Sequence, residues 1–277
     1  MGDVTGRSRI VVITGASSGI GLAAAVELAR RGHHPVLVGR DPDRLRHAIR
    51  RVREAGDRTP DAHRADFAVL DEVRALGKKL HESYDRIDVL ANNAGLMAHH
   101  RSVTVDGYEL TIQVNHLAGF LLSHLLLDRM APGSRLITTA SSAQRFGVLD
   151  PDDLSGARRR YARWQAYGSS KQANVLFTAE AARRWTDRGI VPTCFHPGLV
   201  STRFGHGNPV FEAGLKLPVF LSPEEGADTL VWLADGDDPE PGGYYRRRRL
   251  RKPARCARDP QLAQRLWDAS LQAAGIS

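Results

Sequence analysis

The chain has 277 residues, enough for one large α/β domain or two small ones, with 42% hydrophobic and 25% charged residues, as in ordinary globular proteins. No apolar run approaches the ~20 residues that cross a bilayer, and Met1–Ser8 has no signal-peptide core. The only cysteines, Cys194 and Cys256, lie in dissimilar surroundings, so a membrane anchor, a disulfide framework and a zinc site are not expected, and a cytoplasmic location is.

The formal net charge is +8, yet 34 of the 39 basic residues are arginine, an imbalance that codon bias can produce. The densest block, Arg246–Arg249 with Arg251 and Lys252, lacks interleaved aromatics and any DNA-reading motif. It reads as a solvated strand end and loop, and nucleic acid is not an expected partner.

Strands and helices alternate along the chain, with no repeat and no linker long enough to divide it. Arg9–Thr14 is a short β-branched run, the pattern of a buried parallel strand. It leads through Gly15–Gly21 into a helix over Leu22–Arg31 that ends at Gly32. Pro35–Val38 reads as a strand, Pro42–Ala55 as a charged helix, His63–Ala65 as a weak strand and Leu70–Tyr84 as a helix. The apolar strand Ile87–Ala91 precedes Asn92-Asn93-Ala94-Gly95. A long apolar helix is expected over Gly107–Met130, then a strand at Ser134–Ala140 and a helix through Tyr167 to about Arg188. Ile190–Phe195 and Gly243–Arg246 complete about seven strands. The order predicts an α/β fold: a single doubly wound, Rossmann-type domain over 1–277, its parallel sheet covered by helices on both faces. In such sheets ligands bind beyond the carboxyl ends of the strands, where each motif below falls.

Gly15-x3-Gly19-x-Gly21 joins the first strand to the first helix. Glycines there let the chain turn sharply and let a pyrophosphate approach amides at a helix start. The spacing differs from both the standard dinucleotide fingerprint and the P-loop. Further on, Tyr167 and Lys171 stand four apart, on one face of a helix. A phenol titrates near ~10, and a neighbouring ammonium favours its ionised form, which makes it a usable acid and base. Taken alone, that pair also occurs on many solvated helix faces.

Together, the glycine segment, Asn92-Asn93-Ala94-Gly95, Asn115, Ser142, Tyr167-x3-Lys171 and His196-Pro197-Gly198 resemble the short-chain dehydrogenase/reductase superfamily. The likeness runs from about Arg9 to Gly275. It is strongest to the retinol dehydrogenase-like branch, through Val114-Asn115-His116-Leu117, Ser170-Lys171-Gln172-Ala173-Asn174, the tail Ala263–Asp268, and the 25 residues separating Ser142 from Tyr167. Ala118-Gly119, where the branch often has Gly-His, and Ala91, where it often has Leu, are small departures.

The resemblance implies an oxidoreductase that moves hydride between a nicotinamide and a carbonyl or alcohol. Tyr167 would be the proton donor or acceptor, and Lys171 would lower its pKa and bind the nicotinamide ribose. Ser142, preferred to Ser141 by its place in the pair, would hold the carbonyl oxygen. The Asn115 amide would hold a relay water, unless it is simply a satisfied buried amide. Gly15, Ser17, Ser18, Gly19, Ile20 and Gly21 would line the pyrophosphate and ribose. Asp66 and Phe67 would meet the adenine, with a helix-capping Asp66 as the alternative. Asn93, Ala94 and Gly95 would face the adenosine ribose side, and Pro197, Gly198, Val200 and Thr202 the carboxamide end. His196 reads as a packed loop histidine.

Arg40 stands where an NAD site usually carries an acid, and its guanidinium suits a 2′-phosphate, so NADP(H) is the expected cofactor. Asp41, before Pro42, reads as a helix cap. Segments 145–165 and 202–220 are expected to shape the pocket, and their Phe146, Leu149, Tyr161, Trp164, Phe204, Phe211 and Phe220 suit a lipophilic carbonyl or alcohol. His99-His100 has no companion at ligand spacing, so no metal is expected. A homo-oligomer is compatible with this reading. The alternatives are epimerisation, dehydration or double-bond reduction at the same site, and a non-catalytic NADP-binding sensor or scaffold.

Overall fold

The structure is a computed structural model that describes residues 7–200, 221–236 and 238–276. Eight strands form one sheet in the order β3-β2-β1-β4-β5-β6-β7-β8. They are β1 (Ile10–Thr14), β2 (His34–Gly39), β3 (Asp61–Arg64), β4 (Val89–Asn92), β5 (Arg135–Thr139), β6 (Val191–Phe195), β7 (Tyr244–Arg246) and β8 (Arg249–Arg251). The first seven are parallel, and β8 returns antiparallel beside β7. The expected seven-stranded sheet therefore gains an edge strand. Its Arg-Leu-Arg sequence carries no β-branched signal, and it pairs because Arg247 and Arg248, at φ 51° and 58°, close a tight hairpin.

Alternation along the strands builds two helix layers. Val11, Ile13 and Val89 pack with α1 (Gly19–Arg30), α2 (Pro42–Ala55) and α7 (Pro223–Asp235). Val12, Leu90 and Leu136 pack on the opposite face with α3 (Leu70–Ser83), α5 (Ala118–Leu125), α6 (Arg163–Arg184) and α8 (Pro260–Ala274). As expected, the Asp41 carboxylate caps α2, accepting from the amides of Asp43 and Arg44. No helix among the described residues is long and apolar enough to cross a membrane.

The helix expected over Gly107–Met130 is not continuous. It consists of α4 (Leu110–Ile112), a π-helical turn at Gln113–Leu117, α5, and a 3-10 turn at Leu127–Arg129. Asn115 occupies the centre of the wide turn. Strand order reverses between β1 and β4, opening a crevice beyond their carboxyl ends.

Candidate active site

The crevice is built first from its loops. Gly15 and Gly19 take φ of 69° and 55°, conformations costly for a side chain. A Cβ on Gly21 would lie 2.5 Å from the Gly15 carbonyl oxygen and 2.7 Å from Asn93 Nδ2, so the helix can start this close to the turn only without one. Ser18 precedes α1 in an extended conformation and places no side-chain cap on its amides, which point to the crevice as anion donors. This cradle fits a dinucleotide pyrophosphate.

Thr14 and Asn93 hold the cradle to the neighbouring strands. Thr14 Oγ1 accepts from the amides of Asn93 and Ala94 at 2.9 and 3.0 Å, and donates to the Ala91 carbonyl. Asn93 Nδ2 donates to the Thr14 carbonyl, and its Oδ1 accepts from Thr139. Both side-chain ends of Asn93 are thus engaged in joining the loops after β1, β4 and β5. Neither Thr14 nor Thr139 was singled out in the sequence; their polarity at the ends of apolar strands is the available signal.

At the adenosine end, Arg40 follows β2 with its side chain 65% exposed, and Nη1 lies 3.7 Å from Asp66 Oδ2. Asp66 Oδ1 accepts from the Ala68 amide, so the carboxylate also orders the entry to α3. Phe67 is buried beside it. Gly39 leaves no room for a side chain against Ser17, which brings Ser17 to the corner where Arg40 emerges.

On the other side, Lys171 is 3% exposed, and its Nζ donates to the Thr139 carbonyl at 2.9 Å. Asn174 Nδ2 donates to the same oxygen. The ammonium lies 5.6 Å from the Tyr167 ring centroid. Burial pushes Lys171 down to about 7 and Tyr167 up to about 12. Burial works against the expected depression of the phenol by Lys171, since desolvation raises the phenol and favours the neutral amine.

The serine that meets the phenol is Ser141. Its hydroxyl hydrogen-bonds with Tyr167 and favours the phenolate. Ser142 is the serine expected from its place in the pair. Ser141 keeps an extended backbone (φ −160°, ψ 159°) that prolongs β5, whereas Ser142 starts the 3-10 turn Ser142–Phe146. The two adjacent hydroxyls thus leave the end of β5 from different backbone conformations.

Asn115 is held by three side-chain hydrogen bonds. Its Nδ2 donates to the Leu96 carbonyl and to Ser170 Oγ, both at 2.9 Å, and its Oδ1 accepts from the Leu96 amide at 2.7 Å. The amide clamps the loop at Leu96 to α6, with both Nδ2 hydrogens used and one Oδ1 lone pair left for a further donor. Gly95 packs beside it, where a Cβ would stand 3.2 Å from Asn115 Oδ1 and 3.6 Å from Lys171 Nζ.

His196 is buried and accepts from the Gly198 amide, and burial holds it neutral, at about 4. Val200 bridges Leu221, and Gly226 on α7 has no room for a side chain against Val200 and Ile20. Pro197, Gly198 and Val200 therefore border the start of α1. Thr202 and segment 202–220, with Phe204, Phe211 and Phe220, lie outside the described residues. Of segment 145–165, Phe146 and Trp164 are exposed, and Tyr161 donates to the Ala98 carbonyl at 2.8 Å. The His99 ring faces the Arg163 guanidinium.

A glycine cradle at a strand-order reversal, with a serine, tyrosine and lysine beyond the next strands, defines a dinucleotide-binding oxidoreductase. The sequence model described as short chain dehydrogenase matches residues 9–209. Residues across the chain align with "Putative daunorubicin C-13 ketoreductase DnrU" of Streptomyces sp. (strain C5), at 52% identity over 96% of this chain and 93% of that protein. Retinol dehydrogenase 13 of Homo sapiens is 37% identical over 97% of this chain and 85% of its own length. A crystal structure from Mycobacterium paratuberculosis has 34% identity and a TM-score of 0.81, covering 97% of this chain and 94% of that one. The chain belongs to the short-chain dehydrogenase family, on its retinol dehydrogenase-like branch.

Proposed function

We propose that the protein is an NADP(H)-dependent reductase of lipophilic ketones or aldehydes, able to run in reverse on the alcohols. The observation that carries this reading is the meeting of Ser141 and Tyr167 beside the buried Lys171, across the crevice from the glycine cradle. The ketoreductase relative is named for reduction of a ketone, which supports the carbonyl direction. A bound nicotinamide nucleotide supplies or accepts the hydride.

The chain's own residues do the remainder. Gly15, Ser17, Gly19, Ile20 and Gly21 hold the pyrophosphate, Arg40 takes a 2′-phosphate, and Asp66 and Phe67 border the adenine. Asn93 and Ala94 keep the loops in register, and Gly95 gives Lys171 its space. Ser141 holds the carbonyl oxygen while Tyr167 passes a proton to it. Lys171, fixed by Thr139, adds positive charge when protonated and lowers the cost of the phenolate. The charge of a bound oxidised nicotinamide would add to the same effect.

The test is turnover of a carbonyl panel followed by nicotinamide absorbance, with NADPH and NADH, in wild type and Tyr167→Phe. Reduction with NADPH that falls by at least about 100-fold in the variant, with NADPH still bound, is the expected result. A Tyr167→Phe protein that remains active would overturn the assignment.

A further inference from the structure

Two arginines at the substrate end of the sheet have no explanation in the fold. Gln144 is buried, hydrogen-bonds with Tyr244 and accepts from the Ala254 amide, docking the turn Ser142–Phe146 on β7. Arg145 is the next residue of that turn. Along β7, Tyr245 packs with α1 and α7, whereas Tyr244 packs with Ala140 and Val175. Arg246 therefore leaves the sheet on the Tyr244 side, the side of Ala140 and of α6, which carries Tyr167. The His196 amide donates to Tyr245, bringing that loop alongside, and both guanidiniums oppose protonation of its ring.

Arg246 also stands directly opposite Arg249 in the hairpin, a like-charge pair that costs stability. Arg248 is accounted for: its Nε donates to Asp228 at 2.9 Å and its amide to Thr229 Oγ1, pinning the hairpin to α7. Among the described residues, Arg145 and Arg246 have no carboxylate at ion-pair distance, although Arg248 beside them does. They are not placed for the cofactor's 2′-phosphate either, because Arg40 lies beyond β2, on the far side of the switch point.

We propose that Arg145 and Arg246 form an anion-binding end of the substrate pocket, so that the preferred substrate carries a carboxylate or phosphate on its lipophilic body. Phe146, 72% exposed and adjacent to Arg145, offers an aromatic face for that body. The inference rests on the reductase reading only for the carbonyl that the same molecule would present to Tyr167.

The test measures binding to the NADPH-saturated protein by calorimetry, using 2-naphthoate, 2-naphthyl phosphate and the uncharged 2-naphthalenemethanol. At least one anion should bind about tenfold more tightly than the alcohol, and the tighter anion identifies the group recognised. Arg145→Gln/Arg246→Gln should abolish the preference, while Arg145→Lys/Arg246→Lys and Arg247→Gln should keep most of it. Equal binding of all three by wild type, or an unchanged preference in the double glutamine variant, overturns the proposal. Reduction of 2-naphthaldehyde by the same preparation is read separately: anion preference without reduction would refute the reductase reading and leave this one standing.

Discussion

Tyr167 and Lys171 share a helix face, but their chemistry is set by the groups around them. Lys171 gives its proton contact to the Thr139 carbonyl, and Ser141 meets the phenol. The two serines therefore separate by function: Ser141→Ala should lower kcat/KM by about 100-fold, as loss of a donor to a developing oxyanion does, and Ser142→Ala by less than about threefold. Steady-state kinetics on any reduced carbonyl checks the pair, and the opposite order would assign the role to Ser142. Place in the Ser-Ser pair points to Ser142, whereas the contact with the phenol is made by Ser141 at the extended end of β5, a backbone feature that a single sequence does not display. The place of Arg40 directly after β2 was legible from the apolar run that ends at Gly39. Replacing it with Ala should reduce the NADPH-over-NADH ratio of kcat/KM by tenfold to about 100-fold, the worth of a charge-assisted contact.

At the scale of elements, the alternation of strands and helices was readable from apolar runs and glycine punctuation. The break at Gln113–Leu117 was not, because its cause lies in another segment: Asn115 reaches to Leu96 and Ser170. Asn115→Ala would strand buried donors and acceptors on both partners. A loss of about 2–3 kcal/mol in urea unfolding is expected, together with reduced turnover, because the same turn borders Gly95 and Lys171. Stability equal to wild type would show that the clamp is dispensable. No element was assigned to 223–235, although Ser222, Pro223 and Glu225 spell a helix start and form a capping box. β8 could not be foreseen from Arg249-Leu250-Arg251, because its pairing depends on the hairpin geometry of the preceding turn.

For the whole molecule, buried histidines contribute to the loss of stability in mild acid. Burial holds His116 and His196 at about 4, below the usual ~6.5 of the unfolded chain. Between those values the unfolded state binds more protons, so stability falls as pH drops from about 6.5 to 4. His116→Gln should flatten this slope in thermal unfolding scans, by up to about 3 kcal/mol across the window; an unchanged slope would exclude His116 as a source. His116 also lies 2.9 Å from Ser270 Oγ, 154 positions later in the chain.

That contact belongs to α8, whose Trp267 packs on Phe120 and Phe177 with ring centroids 5.2 and 5.9 Å apart. During synthesis, α5 and α6 leave the ribosome with this aromatic face uncovered, and α8 follows only after α7 and the β7–β8 hairpin have been made. Helix α6, which carries Tyr167 and Lys171, is thus among the last parts of the core to be closed. The nascent chain must pass through a stage in which nearly all of the site has been translated while its supporting face is still open to chaperones or to other chains.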